Sequence, residues 1–301
     1  MVSVLPAALH AALCESLGAE PLRAVALSGG MINRAARVET KDGPVFVKWN
    51  DGAPPGFFAA EAQGLETLRA VNKLRVPSVL AMLDTAVRSA SSAPPYLALE
   101  FIQERPPSDP DFFAQLFGAQ LAALHLEAVS PFAAYGLEYD NYLGSHVQIN
   151  TPHQCWSDFY RDCRLLPQID LARQKGLLPP DRERAVMHVV EHLESLLAGL
   201  ESRPALLHGD LWGGNFLVAT NEPVVIDPAI YYGDREIEIA YIELFGGFPA
   251  GLIQAYQAAY PLDGEYARRR PLHQLYPLLV HLNHFGETYG PHVERVCRLI
   301  R

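Results

Sequence analysis

Positive charge is scarce in this chain. Its 301 residues carry 24 Lys and Arg against 34 Asp and Glu, a formal net charge of −10, with a sequence pI of about 5.5. No dense Lys/Arg tract occurs. The one basic cluster, residues 268–270, suits a helix end or solvent, so nucleic acid and other polyanions are poor partners. A phosphorylated small molecule would have to meet a few specific cations instead. Cysteine is sparse too: Cys14, Cys155, Cys163 and Cys297 form no CxxC pair and no Cys/His grouping with zinc-finger spacing. Reduced, buried thiols in a cytoplasmic protein are the expectation. No apolar run approaches the ~20 residues of a membrane span. The opening MVSVLPAALHAALCESLG lacks the charged leader and long apolar core of a signal peptide and reads as an amphipathic helix. Internal repeats and low-complexity segments are missing. What remains is the balance of a soluble globular protein, 49% apolar and 19% charged, long enough for one large domain or two lobes.

The chemistry concentrates in residues 206–227, LLHGDLWGGNFLVATNEPVVID. Asp210 is followed five positions later by Asn215, and Asp227 comes after a short apolar hairpin, FLV then VVI. Gly213 and Gly214 sit where the backbone must bend tightly or lie close to a ligand. Asp210 is suited to orient a hydroxyl and accept its proton as that hydroxyl attacks the terminal phosphate of ATP. With an ordinary pKa near ~3.9 it is a weak base, so positioning counts for more than basicity. The Asn215 amide oxygen and the Asp227 carboxylate are the hard ligands that Mg2+ prefers. This is the division of labour in the catalytic and metal-binding segments of protein kinases.

Upstream the pattern is consistent with that chemistry. A helix is expected over residues 5–18, then strands at LRAVAL, RAARVET and VFVKW, an antiparallel sheet with a Gly43 turn. The linking loop, with Ser28, Gly29, Gly30 and Asn33, offers backbone N–H groups that could cover nucleotide phosphates, or it is simply a hairpin turn. Lys48 emerges from the third strand opposite Val45 and Val47. A helical run, FFAAEAQGLETLRAVN, then brings Glu61 and Glu66, of which Glu61 is better placed to pair with Lys48. Strands at 76–83 and 96–102 flank a Ser/Pro-rich loop at 88–95, and QERPPSDP marks a boundary. The expected hinge lies there, with backbone groups of Glu100, Phe101 and Ile102 against the adenine edge. From 110 onward helices dominate: 110–127 with a structural His125, then 153–175, 181–200, one after Asp227, and two or three within 251–300. Residues 131–151 read as loop. The expected fold is α+β, protein kinase-like and two-lobed, with a small β-rich N-lobe over 1–102 and a larger helical C-lobe over 103–301.

Departures from protein kinases narrow the reading. HGD replaces HRD, Asp227-Pro228 replaces Asp-Phe-Gly, and no APE-like element or activation segment follows. A small-molecule kinase related to aminoglycoside and choline kinases fits better. LLHGDLWGGNF followed by VVIDPAIYYGDREIEIAYIELFGGF closely resembles the fructosamine kinase (ketosamine-3-kinase) family, of bacterial type. So do SGGMINRA, VFVKWN, FFAAEAQGLETL, GAQLAALH and DNYLGSHVQIN leading to WSDFYRDCRLLPQIDLA, from about residue 10 to 300.

The resemblance implies ATP-dependent phosphorylation of the C3 hydroxyl of a ketosamine, free or protein-bound, and a deglycating, protein-repair role. It implies Asp210 as catalytic, Asn215 and Asp227 as metal ligands, Lys48 as the phosphate lysine and Glu61 as its partner. Trp212 is a candidate face for the sugar or its amine, or a core residue. Asp234 and Glu236 would line the substrate site or anchor the loop, and Asn141 and Asn150 are further candidates. Met31 stands where many relatives carry Cys, so redox control through that thiol is not expected. Glu238 stands where relatives carry Asp. Three other readings remain open: a kinase of another small hydroxyl compound on the same fold, a non-catalytic pseudokinase, and a metal-dependent hydrolase. The intact five-residue set weighs against the pseudokinase, and the absence of a second His/Asp cluster weighs against the hydrolase.

Overall fold

The computed structural model describes residues 4–28, 32–84 and 93–300, and the chain forms two compact units. The first comprises Met1–Asp109, Asn141–Val147 and Asn215–Ala229; the second comprises Pro110–Asp140, Gln148–Gly214 and Ile230–Arg301. The hairpin carrying Asn215 and Asp227 thus belongs with the N-terminal sheet, and Asp210 with the helical unit. A β-sheet N-terminal region and a helical C-terminal region make the fold α+β.

In the first unit, helix α1 (Ala7–Leu17) precedes β1 (Arg23–Leu27), β2 (Arg34–Thr40) and β3 (Gly43–Trp49). Helix α2 (Phe57–Val71), β4 (Val79–Leu83) and β5 (Tyr96–Glu100) follow. The five strands form an antiparallel sheet in the order β1-β2-β3-β5-β4. Leu9 and Leu13, one helical turn apart on α1, pack with Leu5 onto Ala36 and Val38, Val45, Val47 and Trp49, and Tyr96 and Ala98. These are alternate residues on β2, β3 and β5, one face of the sheet. Helix α2 buries Phe57, Phe58, Ala62, Leu65 and Leu68 at helical spacing. Each of the Phe and Leu side chains stabilises the fold by roughly 1.5–3 kcal/mol. The N-terminus of α2 is held from a distance: buried Asp84 accepts the Gly56 and Ala59 N–H groups at 2.7 and 3.2 Å.

The second unit is built on α3 (Pro110–Glu127). Residues 131–151, read as loop, contain a short hairpin, β6 (Asn141–Leu143) and β7 (His146–Gln148), which falls in the first unit but for Gln148. The segment expected as one helix over 153–175 is α4 (Trp156–Phe159), a π-helical turn (Tyr160–Leu165) and α5 (Leu166–Gln174). The π turn carries Arg164 into the interior, fully buried, where its guanidinium donates to the Ile149 and Cys163 carbonyls and lies 3.9 Å from the Tyr231 ring. Helices α6 (Pro180–Glu191) and α7 (Leu193–Leu196) break at His192. Then come β8 (Ala205–Leu207), the first unit's hairpin of β9 (Phe216–Ala219) and β10 (Glu222–Val225), and β11 (Tyr231–Gly233). Four helices follow the last strand: α8 (Arg235–Phe245), α9 (Leu252–Ala259), α10 (Tyr266–Phe285) and α11 (Gly290–Leu299). Gly118 of α3 lets α9 approach closely, since a Cβ there would lie 2.4 Å from the Leu252 carbonyl oxygen. No helix among the described residues is long and apolar enough to cross a membrane.

Candidate active site

Strand alternation decides where Lys48 points. Its neighbours Val47 and Trp49 belong to the face covered by α1, so Lys48 faces the other way, towards α2. There the buried ammonium lies 2.6 Å from Glu61 Oε2 and 2.7 Å from Asp227 Oδ1. Burial works against the lysine charge, but Asp227 and Glu61 override it and raise its pKa above the ordinary value. Burial pushes the Glu61 carboxyl up to about 7 against the pull of Lys48, and Asp227 adds to the rise. Glu66, the alternative partner, instead stands beside Arg69 on the exposed side of α2.

The β9–β10 hairpin gathers the two candidate metal ligands. Its last strand pair is Phe216 with Val225, and one step further the Ile226 N–H donates to the Asn215 carbonyl at 3.0 Å. Asn215 and Asp227 therefore leave the hairpin at the same end. Asp227 has a left-handed backbone, φ 55°, which Asp tolerates better than most residues. Its side chain is 47% exposed although it holds a buried lysine. Glu61 Oε1 is buried and lacks a hydrogen-bond partner among the described residues. An amide oxygen, a half-exposed carboxylate and an adjacent buried ammonium suit a magnesium–phosphate ligand.

The remaining nucleotide candidates are more scattered. Ser28 is exposed, Asn33 accepts from Asn50 Nδ2 at 3.3 Å, and Gly29 and Gly30 lie outside the described residues. The Glu100 carboxylate is taken up by Arg75 at 2.8 Å and by the Ser78 N–H at 3.2 Å. Phe101 lies under the Arg37 guanidinium, and Ile102 packs with Ala219 and Val224. Among the described residues neither Phe101 nor Ile102 has a backbone–backbone hydrogen bond.

In the second unit, β8 pairs antiparallel with β11, Leu207 opposite Tyr231. The loop leaving β8 and the helix that follows β11 thereby start side by side. Helix α8 presents Glu238 and Tyr241, almost one turn apart and so on the same face, to that loop. Glu238 Oε1 accepts the Gly209 N–H at 2.7 Å, and Oε2 accepts the His208 N–H at 3.2 Å and His125 Nε2 at 2.9 Å. Burial opposes the Glu238 charge, yet the hydrogen bond from His125 and the nearby imidazoles more than offset it, and the carboxyl lies below its ordinary pKa. His125 meets the Tyr256 hydroxyl through Nδ1 at 2.9 Å, the structural role expected of it. The Asp210 N–H bonds His208 Nδ1 at 3.3 Å, and the Tyr241 hydroxyl donates to Asp210 Oδ1 at 2.6 Å. A small cavity lined by Gly209, Tyr231, Glu238, Tyr241 and Tyr276 adjoins these bonds.

Further along the loop, the Gly213 N–H donates to the Gly246 carbonyl at 3.1 Å, and a Cβ on Gly213 would lie 2.6 Å from Gly247 Cα. Trp212 is 45% exposed, its ring lying where a Cβ on Gly214 would fall 2.4 Å from it. The core alternative for Trp212 is thus not what the fold places there.

Asp234 and Glu236 are buried and engaged by the protein itself. Asp234 caps α8, accepting the Glu236 N–H at 2.8 Å. Burial, against the pull of His273, pushes its carboxyl upward. Glu236 receives the Arg269 guanidinium on both oxygens at 2.8 Å each; burial opposes its charge, but Arg269 holds its pKa below the ordinary value. Asn150 is locked among the Tyr139 carbonyl, Asp140 and Arg164, and Asn141 is buried in β6. Nothing in the amino-acid sequence by itself singles out Tyr241 or gives Glu238 a role; their spacing on the helix after the loop is the one available signal.

These features define a class first. The fold is that of the protein-kinase-like phosphotransferases: a ternary complex of aminoglycoside phosphotransferase APH(4)-Ia with AMP-PNP and hygromycin B matches at a TM-score of 0.67 and 19% identity, covering 98% of this chain and 99% of that one. Within the class, residues 7–300 match the fructosamine kinase family model, and the chain belongs to that family. A probable ketoamine kinase of Enterococcus faecium is 36% identical over 275 residues, 91% of this chain and 94% of that protein. A crystal structure from Thermobifida fusca, provisionally assigned as a fructosamine-3-kinase, matches at a TM-score of 0.85 and 37% identity, covering 97% of this chain and 98% of that one. The chain is therefore a phosphotransferase with an alcohol group as acceptor.

Proposed function

We propose that this protein transfers the γ-phosphoryl group of ATP to the C3 hydroxyl of a ketosamine. The observation that carries the nucleotide half is the buried Lys48 ammonium shared by Glu61 and Asp227. Family membership carries the acceptor half. Asp210 orients the C3 hydroxyl and takes its proton. The oxygen forms a bond to the γ-phosphorus as the bond to the bridging β–γ oxygen breaks, and that electron pair leaves on ADP. Lys48 binds phosphate oxygens, held in place by Glu61. Asn215 and Asp227 would hold Mg2+, which supplies neutralisation of phosphate charge. Backbone groups at Glu100, Phe101 and Ile102 take the adenine edge, and the loop of Ser28, Gly29, Gly30 and Asn33 lies over the phosphates. Half-exposed Trp212 offers an apolar face for the sugar or its amine substituent. Asp234 and Glu236 support α8 and, through it, the loop. The 3-phosphate product is an unstable adduct, which makes deglycation of small metabolites or proteins the physiological outcome. The four unpaired thiols suit the cytoplasm.

The test is a panel of fructosamine, ribulosamine and erythrulosamine adducts beside free sugars, with ATP and Mg2+, read by phosphate transfer and by the position phosphorylated. Ketosamines turn over and carry the phosphate at C3. No turnover of any ketosamine would sink the acceptor assignment. Asp210→Asn should cut kcat by about 10²–10⁴-fold; unchanged turnover would refute the assigned catalysis.

A further inference from the structure

The mechanism asks a weak base to do its work by position, so the parts that hold Asp210 matter. Two side chains of α8 reach the loop: Glu238 fixes the backbone at His208 and Gly209, and Tyr241 meets the reacting side chain itself. The Tyr241 contact, at 2.6 Å, has the length of a charge-assisted O–H···O⁻ bond, and the tyrosine is 5% exposed. We propose that Tyr241 is a positioning residue for Asp210, fixing the side-chain torsion of the carboxylate and so the direction from which it meets the acceptor hydroxyl. This rests on the assignment of Asp210 as the catalytic carboxylate.

The direction of the bond has only one sense. Burial and the Asp210 charge push the Tyr241 hydroxyl well above its ordinary pKa, so it keeps its proton and donates at every working pH. The ring is held independently of that hydroxyl, packed 4.9 Å from Phe245. A donor on a packed ring restricts a two-torsion side chain far better than a water molecule would, because its own freedom is already lost. In a loose phosphoryl-transfer transition state alignment counts for more than basicity.

The test is Tyr241→Phe, which keeps the ring and removes one hydroxyl. Turnover is measured per nucleotide-binding molecule, counted with a fluorescent ATP analogue, so that any unfolded fraction cancels. The expected result is a fall in kcat of about 10- to 100-fold with the KM for ATP unchanged. A structural hydrogen bond alone would lower Tm and leave kcat per binding site as it was; a kcat within about threefold of wild type overturns the proposal. Asp210→Asn and the double variant complete the cycle. With Asp210 already disabled, Tyr241→Phe should cost nothing further, whereas equal fractional losses in both backgrounds overturn the coupling. If Asp210→Asn itself retains wild-type turnover, it is the assignment of Asp210 that fails.

Discussion

Replacing Glu238 by Gln removes a charge and one acceptor while keeping the shape of the side chain. The carboxylate accepts three donors, Gly209 N–H on one oxygen and His208 N–H and His125 Nε2 on the other. A glutamine has one oxygen to offer and turns two N–H groups towards the rest. With its oxygen on the Gly209 side, the amide nitrogen meets the His208 N–H and His125. The imidazole can exchange its proton to Nδ1 and donate to Tyr256 Oη, which relieves one clash. The His208 N–H cannot change, so at least one buried backbone donor is left facing another. An unpaired buried donor costs about 1–3 kcal/mol, and the lost charge-assisted bonds add to that. About 3 kcal/mol is expected in all, against a typical total of ~5–15. In a chain of this size that lowers Tm by roughly 5–10 °C, read by calorimetry. Catalysis should fall as well, by about tenfold in kcat at a temperature where the variant is folded, since the loop carrying Asp210 loses its tether. Glu238→Asp should do similar harm by a different route, withdrawing the carboxylate by ~1.5 Å, one C–C bond. If Glu238→Gln leaves Tm within about 1 °C and kcat unchanged, the claim that α8 holds the loop is wrong.

Two further outcomes follow from particular contacts. Gly213→Ala would place a Cβ 2.6 Å from Gly247 Cα, backbone against backbone, so the loop must move; kcat should drop by about tenfold or more with a smaller effect on Tm, and wild-type kcat would show that the close approach is dispensable. His281 is stacked 4.3 Å from Phe245, and burial lowers its pKa to about 4. The unfolded chain, with an ordinary histidine near ~6.5, binds the proton more readily, so stability is full above about pH 6.5 and is lost as pH falls towards 4, by up to about 3 kcal/mol. His284, also depressed by burial, acts in the same direction. Urea midpoints measured from pH 7 to 4 should fall less steeply for His281→Gln; superimposable profiles would refute the assignment.

Legibility in the sequence followed the range of the interaction. Lys48 could be placed because a strand alternates and its apolar neighbours are adjacent in the text, and Glu61 because it lies nearer than Glu66 to the start of the helix that follows that strand. The hairpin that gathers Asn215 and Asp227 is local as well. The role of Glu238 was not legible, since a carboxylate on a helix gives no sign of which backbone amides, 29 and 30 residues away, it will meet. Tyr241, within the apolar run IAYI of α8, reads as one more core residue until its hydroxyl is seen. The β6–β7 hairpin escaped because three-residue strands that include Asn and His lack an alternating pattern, and the π turn at Arg164 because inserting one residue into a helical turn leaves composition unchanged. Asp234 and Glu236 show the reverse difficulty: acidic residues beside a catalytic loop invite a ligand role, while their burial and partners tie them to α8 and Arg269.

The meeting of Gly213 with Gly247 has an evolutionary consequence. At an ordinary packed contact, a larger residue on one side can be accommodated by a smaller one on the other, and the pair drifts together. Here both partners are already at the lower limit of size, and Gly247 also has a left-handed φ of 84° that discourages any side chain. No compensating substitution exists on either side. The two positions should therefore behave as a single invariant unit, changing only if the loop after α8 is rebuilt as a whole, and a library randomised at both should return the wild-type pair.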